Sequence, residues 1–196
     1  MSNPDAGAVP VLNVANVLTV VRIVLVPFFV WFLLADAGNG GVFRWLAVVT
    51  FAVAIYTDKL DGDIARSRGL ITNFGKIADP IADKLLIGSA LILLSALGEL
   101  QWWITIVILV REFGITLLRF AVIRYGVMPA SRGGKLKTVV QTLAIFLYLL
   151  VPALGSWAQL PALVVMMAAL AITVVTGIDY VVQAVRLRRS ARNSAR

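Results

Sequence analysis

The sequence predicts an all-α integral membrane protein of six transmembrane helices. Three observations carry that prediction. Hydrophobic residues fill 60% of 196 positions, with a mean hydropathy of +0.93. A soluble domain of this length has too little interior for so much apolar side chain, so the bilayer must act as solvent. The apolar residues fall into six runs, each close to the ~20 residues that a spanning helix needs. Finally, basic residues crowd every second connection, as expected of a chain that crosses a membrane repeatedly.

The first run is roughly Val17 to Leu34, with Pro27 inside it as a possible kink. The stretch before it, residues 1–13, is polar, carries two prolines and is predicted to be mobile. Val9 to Ala15 is apolar enough for a short interfacial segment, and the stretch has neither the basic region nor the small-residue cleavage site of a signal peptide. The second run is Val42 to Ile64, the third Ile81 to Leu97 and the fourth Trp102 to Val122. The fifth is Val139 to Leu154 and the sixth Leu160 to Val185. The third and fifth are short and need flanking residues to complete a crossing. Short connections favour one bundle over residues 14–185, followed by a basic tail over 186–196.

Loop charges set the expected orientation. Arg66, Arg68 and Lys76 follow the second run, and Arg124, Arg132, Lys135 and Lys137 follow the fourth. Arg186, Arg188, Arg189, Arg192 and Arg196 lie in the tail. The other connections carry only Asp36, Arg44 and Glu99. An even number of spans puts both termini on the basic, cytoplasmic side. Trp45, Trp102, Trp103 and Trp157 lie near run ends on the other side, as interface anchors do.

The chain has no cysteine and no histidine. That excludes disulfides, thiol nucleophiles, Cys/His zinc sites and imidazole acid–base chemistry. The net charge is +8, but the basic residues sit in short loops and a tail between apolar runs. Anionic membrane lipids and phosphate ligands are therefore the expected partners, and nucleic acid is not.

Four aspartates lie at the same membrane face: Asp58, Asp61, Asp79 and Asp83. Carboxylates in or beside apolar spans are costly to place and mark function by default. Asp58 and Asp61 are spaced i, i+3, and Asp79 and Asp83 i, i+4, so each pair falls on one helix face. Four such carboxylates suit a hard divalent cation, Mg2+ or Mn2+ before Zn2+. On a wheel of about 100° per residue, Gly62 and Ala65 share the face of Asp58 and Asp61, whereas Asp63 points away. The small residues leave room for a bulky ligand, and Arg66 at the edge of the stripe could meet a phosphate. Gly75, Asp79 and Asp83 form a second stripe, and Pro80 fits best if a regular helix begins near Asp79. Any one aspartate could equally be a cap, or an ion-pair partner of Lys59, Lys76 or Lys84. That explanation does not account for all four beside glycine and alanine.

The run Asp58-x2-Asp61-Gly62-x2-Ala65-Arg66-x8-Gly75-x3-Asp79-x3-Asp83 resembles the signature of the CDP-alcohol phosphotransferases, with every fixed position filled. The resemblance implies that family's six-helix membrane fold and a CDP-linked substrate held by two divalent ions, Mg2+ or Mn2+. It implies Asp58, Asp61 and Asp79 as metal ligands, with Asp83 assisting a second metal and acting as general base. Gly62, Ala65, Arg66 and Gly75 would line the CDP site. A direct displacement without a covalent enzyme intermediate, in a homodimer, is the family-level expectation.

Softer similarities cover most of the chain up to about residue 150. They are N-V-A-N-V-L-T-V-V-R from Asn13 to Arg22, D-P-I-A-D-K-L-L from Asp79, Arg111-Glu112 with Arg119, and G-K-L-K-T from Gly134 with Gln141. These resemble the phosphatidylglycerophosphate-forming branch of the family in bacteria. The resemblance implies CDP-diacylglycerol as donor, sn-glycerol 3-phosphate as acceptor, and the bacterial inner (plasma) membrane as location. An acceptor bearing a phosphate needs cations. Arg111 and Arg119 lie about 12 Å apart near one face of the fourth run, and Lys135 and Lys137 begin the fifth. The plainer readings are an ion pair of Arg111 with Glu112 or with another span's acid, and ordinary loop charge for the lysines. Another acceptor, such as inositol phosphate, inositol or serine, would keep the same chemistry. A cation-coupled transporter would also bury acids, but here the acids cluster at one face and no inverted repeat is evident.

Overall fold

The computed structural model describes residues 13–67, 72–122 and 132–194. Six helices follow one another: α1 (Val14–Asp36), α2 (Val42–Ser67), α3 (Asn73–Ala96), α4 (Trp102–Val122), α5 (Arg132–Leu154) and α6 (Gln159–Ser194). A 3-10 turn at Ser156–Ala158 links the last two. There is no strand among the described residues.

Three stretches, Val14–Asp36, Leu136–Leu154 and Ser156–Arg188, are long and apolar enough to cross a bilayer by length and composition alone. The other three helices are more polar for a definite reason. α2 carries Arg44, Asp58, Lys59, Asp61, Asp63 and Arg66, α3 carries Lys76, Asp79, Asp83 and Lys84, and α4 carries Arg111, Glu112 and Arg119. Apart from these charges they present lipid-ready faces, such as Ile106, Val110, Phe113, Leu117 and Phe120 on α4, all exposed. Trp45, Trp102, Trp103 and Trp157 are exposed too, as interface anchors need to be.

The chain divides into two compact units, residues 1–93 and 94–196. In the first, α1 and α2 form an antiparallel hairpin around buried Phe29, Leu33 and Phe51, with the two phenylalanine rings 5.7 Å apart. Ala47 and Ala54, both fully buried, let the helices approach closely. The turn between them uses left-handed backbone at Ala37, Gly38 and Gly40. Asp36 fastens it: its carboxylate accepts from the Gly41 amide at 2.9 Å, the Gly40 amide at 3.3 Å and Arg44 Nε at 2.9 Å. Both side chains of the Asp36–Arg44 pair are fully buried.

Capping explains where the helices begin. Asn13 accepts from the Asn16 amide at 3.0 Å and caps α1. Asn13 is thus part of the helix start, and residues 1–12, the rest of the expected N-terminal stretch, lie outside the described residues. Thr72 accepts from the Gly75 amide at 3.0 Å and starts α3 at Asn73. The expected start near Asp79 is therefore corrected, and Pro80 lies inside the helix, where it withholds one amide from the ladder. α5 begins at Arg132, ahead of its apolar run, and α6 continues to Ser194. Helix α6 thus runs through residues 186–194 of the basic tail.

In the second unit α5 and α6 pack together and α4 packs on α6. Ile104, Ile108, Ile145, Leu149 and Met166 fill the core, with Ala162 and Ala169 as the close-approach positions of α6. Gly98, at φ 75°, turns the chain out of α3, and Ser95 and Thr105 share a hydrogen bond of 2.7 Å across the α3–α4 turn.

Candidate active site

The aspartate region of the first unit is organised by a polar stripe on α1. Asn16, Thr19 and Arg22 recur every three residues in an otherwise apolar helix, and all are buried. Arg22 reaches α2: its Nη1 lies 2.6 Å from Asp58 Oδ1, and its Nη2 donates to Asp61 Oδ2. The Arg22 side chain is fully buried and Asp61 nearly so, whereas Asp58 is 45% exposed, so the cluster opens through Asp58. Thr19 reaches α3: its hydroxyl donates to Asp79 Oδ1 at 2.6 Å and lies 3.4 Å from Asp61 Oδ2. Asn16 Oδ1 accepts from the Thr72 hydroxyl at 2.9 Å. One stripe thus ties the start of α3 and the end of α2 to α1.

Asp58, Asp61 and Asp79, set out from the sequence, are brought together around Thr19 and Arg22. Asp83 follows one turn after Asp79 on α3, half-buried. Gly62 and Ala65 are half-buried on α2, and Asp63 is exposed, as the wheel requires. The side chain of Arg66 lies outside the described residues. Gly75 is buried against the α1 stripe and the Thr72 cap. A Cβ there would stand 3.0 Å from Asn16 Oδ1 and 3.4 Å from Thr72 Oγ1. Gly75→Ala should therefore disturb the α1–α3 tie and cost about 1–3 kcal/mol, read by thermal unfolding in detergent. Unchanged stability would show that the tie gives way without loss.

The oxygens fit a hard divalent cation in kind: carboxylates from two helices, with Asp61 feeling the charges of Asp58, Asp79 and Arg22. Among the described residues no three carboxylates stand close enough to form a finished cage. Arg22 is interleaved with them instead.

A second polar cluster lies in the second unit. Arg111 Nη1 donates to Glu112 Oε1 at 3.1 Å, and Lys137 pairs with the same oxygen. Arg111 Nη2 donates to the Thr176 hydroxyl at 2.8 Å. Arg119 Nη2 donates to the Tyr180 hydroxyl at 2.8 Å, and its guanidinium lies 4.8 Å from the ring centroid; that of Arg111 lies 5.9 Å away. A Cβ at Gly177 would come within 3.2 Å of Arg111 Cγ, so that glycine lets the arginine lie flat along α6. Three of the four expected acceptor cations therefore share one place, and the side chain of Lys135 lies outside the described residues. The Arg111–Glu112 pair is real, but Glu112 is one carboxylate facing Arg111 and Lys137 together. Arg111 Nε, Gln141 Oε1 and Thr173 Oγ1 are buried without a hydrogen-bond partner among the described residues.

Sequence reasoning gave no individual role to Arg22, Thr19, Asn16, Thr72 or Tyr180, and foresaw Glu112 only as the ion-pair partner of Arg111. The three-residue recurrence of Asn13, Asn16, Thr19 and Arg22 was the available signal for the α1 stripe. Tyr180 had none, because a tyrosine near a span end reads as an interface anchor.

Comparison with known proteins shows the family. Residues 12–179 match the model of the CDP-alcohol phosphatidyltransferase family. A Mycobacterium tuberculosis protein named "Probable phosphatidylglycerophosphate synthase" is 52% identical over 181 residues, covering 92% of this chain and 86% of the relative. The "CDP-diacylglycerol--glycerol-3-phosphate 3-phosphatidyltransferase" of Bacillus subtilis is 39% identical, over 70% of this chain and 77% of the relative. The protein of the same name from Rickettsia felis is 36% identical, over 86% and 93%. With the aspartate signature gathered by its own α1 stripe, the chain belongs to the CDP-alcohol phosphatidyltransferase family.

Proposed function

We propose that this protein transfers the phosphatidyl group of CDP-diacylglycerol to sn-glycerol 3-phosphate, giving phosphatidylglycerophosphate and CMP. The observation that carries this reading is the gathering of Asp58, Asp61 and Asp79 around Thr19 and Arg22 in a family member. The names of the relatives point to this donor and acceptor.

Asp58, Asp61, Asp79 and Asp83 would hold Mg2+ or Mn2+. A bound divalent cation neutralises pyrophosphate charge and eases departure of CMP. Asp83 takes the proton of the acceptor's 1-hydroxyl as its oxygen forms a bond to the β-phosphorus. The bond from that phosphorus to the CMP oxygen breaks, and the electron pair leaves with CMP. Displacement of this kind needs positioning and charge stabilisation above all, so the lack of histidine and cysteine is no handicap. Gly62, Ala65, Arg66 and Gly75 border the nucleotide.

Arg111, Arg119 and Lys137, with Lys135, hold the acceptor's phosphate. Three of these cations share a cluster in which, among the described residues, Glu112 is the acid paired with Arg111 and Lys137, so positive charge is left for an anion. The protein works as a homodimer in the bacterial inner membrane, with the site and both termini on the cytoplasmic face and its basic end on anionic lipids.

The test is CMP release by purified protein with CDP-diacylglycerol and Mg2+, across glycerol 3-phosphate, inositol phosphate, inositol and serine. Turnover with glycerol 3-phosphate alone supports the reading; turnover with another acceptor overturns the substrate and keeps the chemistry. Arg119→Ala should raise the KM for glycerol 3-phosphate about tenfold and leave that for CDP-diacylglycerol nearly unchanged. An unchanged acceptor KM would remove Arg119 from the acceptor site.

A further inference from the structure

Arg22 is the most unusual side chain of the first unit. It is a fully buried arginine within an apolar helix, and among the described residues its charged partners are carboxylates expected to bind metal. Its Nε has no hydrogen-bond partner among the described residues. A buried cation in a membrane helix demands a strong compensating reason. Its two partners differ: Asp61 is buried, whereas Asp58 is nearly half exposed and able to turn toward water.

We infer that Arg22 is a built-in counter-ion of the aspartate site, competing with the divalent cation for Asp58 and Asp61. The inference rests on the proposed reading that these aspartates hold metal. Without a cation, three carboxylates converging from two helices would repel one another. Arg22 supplies positive charge from α1 and keeps the ends of α2 and α3 together. A guanidinium cannot enter a metal's ligand shell, because it has donors only. When a metal takes Asp58 and Asp61, Arg22 must therefore loosen its hold on them. Thr19 keeps Asp79 on α1 meanwhile, so the helices need not separate. Arg22 thus trades metal affinity for a site that stays assembled between turnovers.

The measurement is Mn2+ binding to purified protein in detergent, followed by the electron paramagnetic resonance signal of free Mn2+, together with thermal unfolding in chelator and in Mn2+. Arg22→Gln should bind Mn2+ about tenfold more tightly than wild type, because no charge-assisted pair has to be broken first. It should also melt lower than wild type in chelator, and saturating Mn2+ should close most of that gap. Arg22→Lys, with one point charge for two carboxylates, should fall between the two. It also provides the reading if Arg22→Gln does not fold.

Unchanged or weaker Mn2+ binding in the folded variants, with wild type binding normally, would overturn the counter-ion role alone. An equal melting deficit with and without Mn2+ would do the same and leave Arg22 a purely structural tie. Wild type that binds no Mn2+, or binds it as well after Asp61→Asn, would overturn the metal reading itself and the inference with it.

Discussion

Asp83→Asn is expected to stop CMP release while the protein remains folded. The amide matches the carboxylate in size and hydrogen-bonding reach but cannot take a proton from a hydroxyl at neutral pH. A positioned general base contributes about 10²–10⁴ in rate, and a lost metal contact would add to that. Asp83 is half-buried on α3, one turn beyond the Asp79 that Thr19 holds. α3 is fixed to α1 upstream of it, through Thr72 and Asn16, so the exchange should leave the melting temperature close to wild type. The decisive comparison is single-turnover CMP release at saturating donor and acceptor beside a thermal unfolding curve. A folded variant with wild-type turnover would exclude Asp83 as the base and direct attention to a water activated by the other three aspartates.

The second large effect concerns stability, at the opposite end of the α1–α2 hairpin. Asp36→Ala should destabilise the first unit by about 3–5 kcal/mol, because it strands a buried, uncompensated Arg44. The loss extends beyond the ion pair: the amides of Gly40 and Gly41 lose their acceptor, in a turn that already holds Ala37 in left-handed backbone. Replacing both members, as Asp36→Ala with Arg44→Met, should recover much of the loss, since no charge is then buried alone. Denaturant unfolding in micelles reads both variants. A single-variant loss below about 1 kcal/mol, the range of an exposed pair, would mean that water reaches Arg44.

Hydropathy located α4 to the residue because its borders are abrupt: Gly98 to Gln101 turn the chain on one side, and the apolar face runs unbroken to Val122. It placed the start of α3 too late, since Asn73 to Asp79 is polar in composition and helical only through the Thr72 cap and the support of α1. Apolar content cannot report a helix stabilised by side-chain caps. The four aspartates were legible because charge in a membrane is rare and their spacing is regular. Their partner on α1 was not, since Arg22 lies 36 residues before Asp58 in sequence and only packing joins them. Arg111, Arg119 and Lys137 were legible as cations, whereas Tyr180, against which both arginines lie, becomes visible only once α4 and α6 are side by side.

α6 has 36 residues, and at about 1.5 Å per residue it is about 54 Å long, well beyond a hydrocarbon core of about 30 Å. A loose basic tail would fold down onto lipid headgroups without affecting anything upstream. A continuous helix behaves as a lever. Under the proposed function, attraction between anionic headgroups and Arg186 or Arg188 would act as a torque on the whole rod, favouring tilt. Tyr180, Gly177 and Thr176, which seat the two arginines of α4, ride on the same rod. Under the proposed function, the lipid charge of the surrounding leaflet would in this way be mechanically linked to the angle at which Arg111 and Arg119 are held.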